Sequence, residues 1–308
     1  MYKRILIVGA NGLVGQKLTE IFSRDRAFDL LISARQSEAY NKAASFGYVQ
    51  LDATNLAAVK ELVWNFAPDF IINAAAYTDV DGCEREKELS WRANVSAVEN
   101  LVAASRLVGA RVVHISTDYV FDGKAGPYDE TATPNPLSYY GKEKLASENA
   151  VRASGENWLI VRTMVVFGVA PKVKKNFAIW LAQELQQGRR VNVVSDQIGN
   201  ATLADDLARG IYELVRHNKR GLYHVAGADI LSRYEFAQKL ADAFGFDKSL
   251  VNPIKTADLN QLAPRPLRSG LITLKAQAEL GITFLSSDEA IAIFKRQFLE
   301  SASAQSRQ

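Results

Sequence analysis

The stretch that decides the fold is Ile5-Leu6-Ile7-Val8-Gly9-Ala10-Asn11-Gly12-Leu13-Val14-Gly15. Four apolar residues in a row read as a buried strand, and the glycines then break it. From Leu13 to Ser23 the apolar spacing becomes that of a helix. Gly9 permits the tight turn, Gly12 lets backbone approach a pyrophosphate, and Gly15 lets the helix pack close to the strand. The helix N-terminus favours the phosphate charge. The spacing Gly-x-x-Gly-x-x-Gly is one residue wider than the Gly-x-Gly-x-x-Gly fingerprint. A glycine-rich turn without a ligand is the alternative, and the strand–turn–helix context argues against it.

Outward from this turn the first half of the chain repeats the rhythm. Strands are expected at Leu30–Ile32, Tyr48–Leu51, Phe70–Ile72, Val112–Ile115 and Leu159–Val161. Helices are expected at roughly Glu38–Ser45, then at Leu56–Phe66, Glu84–Leu107 and Ser138–Ala153. Alternating strands and helices imply βαβ units and an α/β fold, a Rossmann-like doubly wound parallel sheet covered on both faces. After Arg162 the pattern changes. Helices are expected at Phe177–Gln187, Ala204–His217 and from the Ser232 cap to Phe244, with short strands at Val191–Val194 and Leu222–Val225. Irregular chain follows at Asn252–Ser269, a last helix starts near Ser286–Ser287, and Ser301–Gln308 is expected to fray. The second half should form a smaller α/β substrate lobe. The expected division is interleaved: 1–165 with part of about 203–225 for a dinucleotide, and 166–202 with 226–308 for a substrate.

The 308 residues carry 37 Lys+Arg, 34 Asp+Glu and one Cys, with 48% hydrophobic residues. That apolar share supports a real core, and the near-neutral balance shows no basic stripe for nucleic acid or a membrane surface. Cys83 alone makes neither a disulfide nor a cysteine zinc cluster, and is expected as a reduced thiol in a cytoplasmic protein. No apolar run reaches the length of a spanning helix, and no signal-peptide h-region follows Met1. His114, His217 and His224 are isolated, so no metal site is expected; His114 and His224 are read as satisfied near-core residues. Core packing is the simplest role for Trp64, Trp91, Trp158 and Trp180.

The end of the second strand selects the ribose. A carboxylate there would bind a 2′-hydroxyl, but the chain reads Ser33-Ala34-Arg35, which favours NADP(H) with NAD(H) possible. Asp52, after the third strand, is read either as an adenine contact or as the cap of the helix near Leu56. Asn73-Ala74-Ala75-Ala76 is small enough for a cofactor to lie against backbone.

Tyr140 and Lys144 stand at i, i+4, on one helical face, whereas the i+4 partner of Tyr139 is Glu143. A nearby ammonium favours a phenolate and lowers the phenol pKa from ~10. Such a pair can protonate a carbonyl oxygen while hydride reaches its carbon. Thr117 can donate to the same carbonyl, and Asp118 can orient the network or act as a structural group.

With these motifs the chain resembles the dTDP-4-dehydrorhamnose reductase family of the extended short-chain dehydrogenase/reductases. The resemblance is carried by Val8–Gly15, Asn73–Asp81, Ser116-Thr117-Asp118-Tyr119-Val120-Phe121-Asp122-Gly123 and Tyr140–Leu145. It continues in Arg162-Thr163, Lys175-Asn176-Phe177, Asp196-Gln197-Ile198-Gly199 and Arg265–Ser269, in order over nearly the whole chain. The resemblance implies nicotinamide-dependent reduction of a nucleotide-linked 4-keto-6-deoxy sugar. It maps Thr117, Tyr140 and Lys144 onto catalytic positions beside Asp118. It places Asn11, Gly12, Leu13, Val14, Asp52, Ala74, Ala75, Ala76 and Tyr77 at cofactor-contacting positions, and together with Gly9, Gly15, Ser33, Arg35, Tyr140 and Lys144 these make the expected cofactor set. Lys175, Asn176, Arg265 and Arg268 are expected to hold the substrate diphosphate. One departure stands out: after Arg-Thr many reductases carry Ser-Trp-Val-Tyr, and here Met164-Val165-Val166-Phe167 follows. Two alternatives remain: a reductase or epimerase of another nucleotide sugar, and an NADP-binding regulatory subunit like the methionine adenosyltransferase β-subunit. A homo-oligomer is possible.

Overall fold

The computed structural model describes residues 2–41 and 46–305. β1 (Lys3–Val8) leads through the glycine turn into α1 (Leu13–Phe22). Then come β2 (Phe28–Ala34), β3 (Gly47–Gln50), α2 (Leu56–Phe66), β4 (Phe70–Asn73), α3 (Val80–Arg85), α4 (Lys87–Trp91) and α5 (Ala97–Val108). β5 (Arg111–Thr117), α6 (Tyr139–Arg152), β6 (Trp158–Thr163), β7 (Val166–Phe167), α7 (Phe177–Gln186) and β8 (Val191–Val194) follow. The chain continues with β9 (Ile198–Gly199), β10 (Thr202–Leu203), α8 (Ala204–Arg216), β11 (Gly221–His224), β12 (Leu231–Ser232) and α9 (Arg233–Phe244). It ends with β13 (Val251–Ile254), α10 (Leu274–Leu280) and α11 (Ser287–Gln305).

Seven strands form one parallel sheet in the order β11-β6-β5-β4-β1-β2-β3. The strand order reverses between β1 and β4, and ligands of open α/β sheets sit at the carboxyl ends of such a pair. The pleat sorts β1: Ile5 and Ile7 join α1 and α8 on one face, Leu6 and Val8 join α2 and α5 on the other. A second apolar cluster lies apart from the sheet, where α7, β8, α9, β13 and α11 bury Leu181, Val193, Phe236, Leu240, Val251 and Phe294. α10 packs instead on the sheet's core, through Ala276 and Leu280.

Four expectations need correction. The helix expected over Glu38–Ser45 is absent at 38–41, because the Asn11 side chain takes the Glu38 carbonyl and the Tyr40 amide; 42–45 lie outside the described residues. The single helix expected over Glu84–Leu107 is three pieces, broken at Glu86 and widened into a π turn at Arg92–Ser96. The last helix continues through the expected frayed stretch as far as Gln305, and 306–308 lie outside the described residues. Three of the four tryptophans are not core residues: Trp64, Trp91 and Trp180 are exposed, while Trp158 is half-buried and packs against the cluster of Val98, Val102, Val112, Val151 and Ile160 as expected.

Candidate active site

The glycine turn is held by backbone. Both Gly9 and Ala10 amides donate to the Ser33 carbonyl. A Cβ on Gly9, whose φ is +85°, would lie 2.6 Å from the Ala75 nitrogen, and one on Gly15 would lie 2.2 Å from the Gly9 oxygen. These two glycines close the turn against β4 and α1. Gly12 is different: an added Cβ there meets only the Gly9 oxygen, at 3.3 Å. Gly12 is the N-cap of α1 and offers no side-chain cap, so the first-turn amides at Leu13 and Val14 face outward without an internal partner. An uncapped, open helix start beside bare backbone fits a dinucleotide pyrophosphate.

Arg35 is exposed at the end of β2, its guanidinium unpaired among the described residues. Ser33 corrects the sequence reading. It is fully buried and its hydroxyl donates to the Ile7 carbonyl, so it presents nothing to a ligand. Asp52 likewise does not cap α2; Asn55 does. Asp52 accepts from the Thr54 amide and hydroxyl, and these bonds, ahead of Arg35 and Arg92, hold its carboxyl below the usual range. Ala74–Tyr77 runs along the crevice, pinned by the Asn73 side chain on the Ala75 amide and by Asn94 on both backbone groups of Tyr77.

The π turn explains Asn94. It aims the side chain at the Tyr77 backbone and at Glu143 of α6, 2.8 Å away. Tyr139 faces this side: its amide donates to Glu84 and its ring lies against Trp91 and Lys87. Tyr140 faces the other. It is buried, edge-on to Tyr119 at 5.5 Å, near Thr117 and Asp118 at the end of β5. The Thr117 hydroxyl donates to Asp118 at 3.1 Å, and Ser269 donates to the other Asp118 oxygen. Burial pushes the Asp118 carboxyl up to about 6 against those two bonds.

Burial also drives the Tyr140 phenol up, with Asp118 adding and the Thr117 hydroxyl opposing. The expected lowering by Lys144 is not the governing effect here, because Lys144 points into the sheet. Its ammonium donates to the Ile115 carbonyl at 2.8 Å and lies 3.1 Å from His114 Nε2. The Ala75 amide fixes Asn73 Oδ1, so the Asn73 NH2 faces His114 Nδ1, which accepts. His114 Nε2 therefore carries the hydrogen, and Ser147, whose own hydrogen goes to the Lys144 carbonyl, accepts it. Lys144 finds no acceptor on His114, and burial draws its ammonium down to about 8 against the pull of Glu148 and Glu143. His114 itself is held neutral by burial and by Lys144.

Behind the site, Glu148 takes both prongs of Arg162 at 2.7 Å, together with Ser116 and Arg152. His224 corrects the expectation of a satisfied core histidine. It is fully buried, neither ring nitrogen has a well-formed hydrogen bond among the described residues, and burial followed by Arg162 lowers it to about 4 against the nearby backbone of Tyr128 and Ile272.

A cleft opens beyond Asp118 and Tyr119, lined also by Met164, Val165, Gln197 and Arg233. The four residues expected to hold a diphosphate do not gather there. Lys175 and Arg268 are exposed. Asn176 caps α7 and donates to the Gly168 carbonyl, and Arg265 is paired with Asp81 at 2.6 Å. Among the described residues no group of three or more His, Cys, Asp or Glu side chains could hold a metal, and no helix is long and apolar enough to cross a membrane.

Residues 3–299 match the family described as the RmlD substrate binding domain. The chain belongs to that family. It is 34% identical to a dTDP-4-dehydrorhamnose reductase of Aggregatibacter actinomycetemcomitans over 91% of this chain and 94% of the relative. It is 33% identical to methionine adenosyltransferase 2 subunit beta of Xenopus tropicalis over 86% of this chain and 78% of the relative. A crystal structure of dTDP-4-dehydrorhamnose reductase from Bacillus anthracis str. Ames in complex with NADP superposes with a TM-score of 0.86 at 32% identity. That match covers 97% of this chain and 100% of the other. The fold is thus that of the RmlD family within the extended short-chain dehydrogenase/reductases.

Within the RmlD frame the departure after Thr163 takes a definite shape. Met164 is buried, and its sulfur meets the Asn200 amide while its methyl fills the space over Gly199. Val165 lies on the cleft wall with φ +48°, a left-handed conformation costly for a β-branched residue. Sequence reasoning also missed Arg233. Its one signal was a cation at the first position of a helix, directly after the Ser232 cap.

Proposed function

We propose that this chain uses NADP(H) to reduce the 4-keto group of a nucleotide-linked 6-deoxy sugar, as a dTDP-4-dehydrorhamnose reductase of the cytoplasm. The observation that carries the reading is the burial of Tyr140, Lys144, Thr117 and Asp118 close together near the end of β5, with Tyr140 packed against Tyr119, which lines the cleft with Asp118. The lobe of 1–165 with about 203–225 holds the cofactor, and 166–202 with 226–308 supplies most of the substrate side.

The uncapped start of α1 receives the pyrophosphate at the Leu13 and Val14 amides, and Arg35 takes the 2′-phosphate. Asn11, Gly12 and Ala74–Tyr77 line the path between. When bound, the nicotinamide supplies the hydride. When the sugar is in place the Thr117 hydroxyl turns its single hydrogen from Asp118 to the sugar carbonyl oxygen, and Tyr140 gives that oxygen its proton. Lys144, one turn on from Tyr140, adds its positive charge behind the phenol, and the Ile115 carbonyl fixes where that charge sits. The test is NADPH oxidation with dTDP-4-dehydrorhamnose, with other nucleotide-linked keto-sugars and with the free sugar. Turnover confined to the nucleotide-linked sugars supports the reading; none with any of them overturns it.

A second reading is an NADP-binding regulatory subunit, favoured by the relative of that kind and by Met164-Val165 where a reductase tryptophan was expected. It requires NADP binding, no keto-sugar turnover and a stable protein partner on purification.

A further inference from the structure

The cleft beyond Asp118 and Tyr119 holds a cation that no carboxylate among the described residues pairs with. Arg233 begins α9 and lines the cleft with Asp118, Tyr119 and Gln197. Its guanidinium lies 5.4 Å from the centre of the Phe177 ring and makes no hydrogen bond or ion pair among the described residues. The acidic groups that act on it are Tyr119 and Asp118. Both act at a distance: among the described residues neither makes a hydrogen bond or ion pair with the guanidinium, and the Asp118 oxygens accept from Thr117 and Ser269 instead. Two other arginines with little exposure are treated differently: Arg162 is paired with Glu148, and Arg265 with Asp81.

The position is unfavourable twice over. Desolvation penalises an unpaired charge, and here it lowers the Arg233 pKa below its usual value. The positive end of the α9 macrodipole also opposes a cation at the first helical residue. An arriving anion relieves both costs, and a planar guanidinium fits a phosphate or carboxylate with two parallel hydrogen bonds.

We propose that Arg233 anchors an anionic oxygen group of the substrate, either the phosphate that carries the sugar or a carboxylate on the sugar itself. This rests on reading the cleft as the sugar site and adds the residue and the chemistry that hold its ligand there. Thr117 and Tyr140 then meet the carbonyl while Arg233 holds the charge, which fixes the sugar from two sides.

With NADP+ present, thymidine, dTMP, dTDP, UDP-glucose and UDP-glucuronate are titrated calorimetrically into wild type, Arg233→Gln and Arg233→Lys. If the anion is the phosphate, dTDP and UDP-glucose weaken by about tenfold or more in Arg233→Gln. Lysine then restores part of the loss, and thymidine stays within about twofold. If the anion is a carboxylate, UDP-glucuronate binds wild type about tenfold more tightly than UDP-glucose, and Arg233→Gln removes only that difference. Every ligand within about twofold across the three proteins, or no ligand bound by wild type, overturns the anchor. NADP+ affinity and melting temperature check folding, and should Arg233→Gln fail to fold, Arg233→Lys carries the comparison because it keeps the charge and loses the fork. Keto-sugar turnover is scored separately. Arg233-dependent dTDP binding without turnover rejects the reductase and keeps the anchor, while turnover with Arg233-independent binding does the reverse.

Discussion

Along the carboxyl edge of the sheet, from Gly9 to Ala75, what faces the crevice is mostly backbone: glycine, alanine and the uncapped amides of α1. Across the cleft, from Gln197 through Arg233 to Ser269, it is mostly side chains. The first surface can take a ligand common to many enzymes, because every chain has amides to offer. The second is assembled from segments far apart in sequence, and its chemistry belongs to this chain. Generic recognition and private recognition meet at Thr117 and Tyr140.

The largest expected effect lies at that meeting point. Tyr140→Phe should lower turnover by about 10²–10⁴ while NADPH binding stays within a few-fold, measured by single-turnover kinetics and cofactor titration. Tyr139→Phe, which faces α4, should be mild. Damage from the second change with little from the first would reverse the assignment of the two faces of α6.

The backbone surface can be broken in two separable ways. Gly15→Ala forces a Cβ to 2.2 Å from the Gly9 oxygen and should cost about 3 kcal/mol of stability, read as a lower melting temperature. Gly12→Ala meets only a 3.3 Å contact and should keep the fold while weakening NADPH about tenfold, since the lost space belongs to the ligand. Equal melting losses for both would make Gly12 structural as well.

On the side-chain surface the handle is pH. Burial raises Asp118 from 3.8 to about 6, so the native state holds this proton more tightly than the unfolded chain does. Stability should therefore fall as pH rises from about 4 to about 6, by up to about 3 kcal/mol from this one group. Denaturant unfolding of Asp118→Asn across that window should lack this fall relative to wild type. Parallel curves would mean that Asp118 stays ionised in the fold. The smallest effect sharpens the backbone side: Arg35→Ala should erase a preference for NADPH over NADH of about tenfold, and unchanged affinities would remove Arg35 from the cofactor set.

How much of this was legible in sequence follows the same division. Every strand of the large sheet could be read, because apolar runs bounded by turns are local signals, and Leu159–Val161 or Val112–Ile115 needed no tertiary knowledge. The glycine turn and the Tyr140–Lys144 spacing were legible for the same reason. The π turn at Arg92–Ser96 was not, since Asn94 is aimed by partners on another helix and on the Ala74–Tyr77 segment. Ser33 was misread because the pleat turns its hydroxyl inward to Ile7, and the cap reading of Asp52 failed because Thr54, two residues on, captures its carboxylate while Asn55 caps α2. Arg233 resembled any charged residue on a surface helix until the cleft was built around it.

The late arrival of the sheet's last strand governs how this protein is made. β11 adds beside β6, α8 lies against α1, and the core that buries Ile5 and Phe22 also contains Leu214, Tyr223, Ala276 and Phe284. A chain leaving the ribosome has finished its glycine turn and Tyr140 long before it can cover one face of the sheet. At ~5–20 residues per second, the stretch from Thr163 to Phe284 takes on the order of ten seconds. For that interval a row of Ile, Leu and Phe side chains stands open to its neighbours on the polysome. Folding yield in the cell is therefore tied to translation speed and chaperone supply, and a messenger cut short before Phe284 should yield aggregate rather than a free cofactor-binding half.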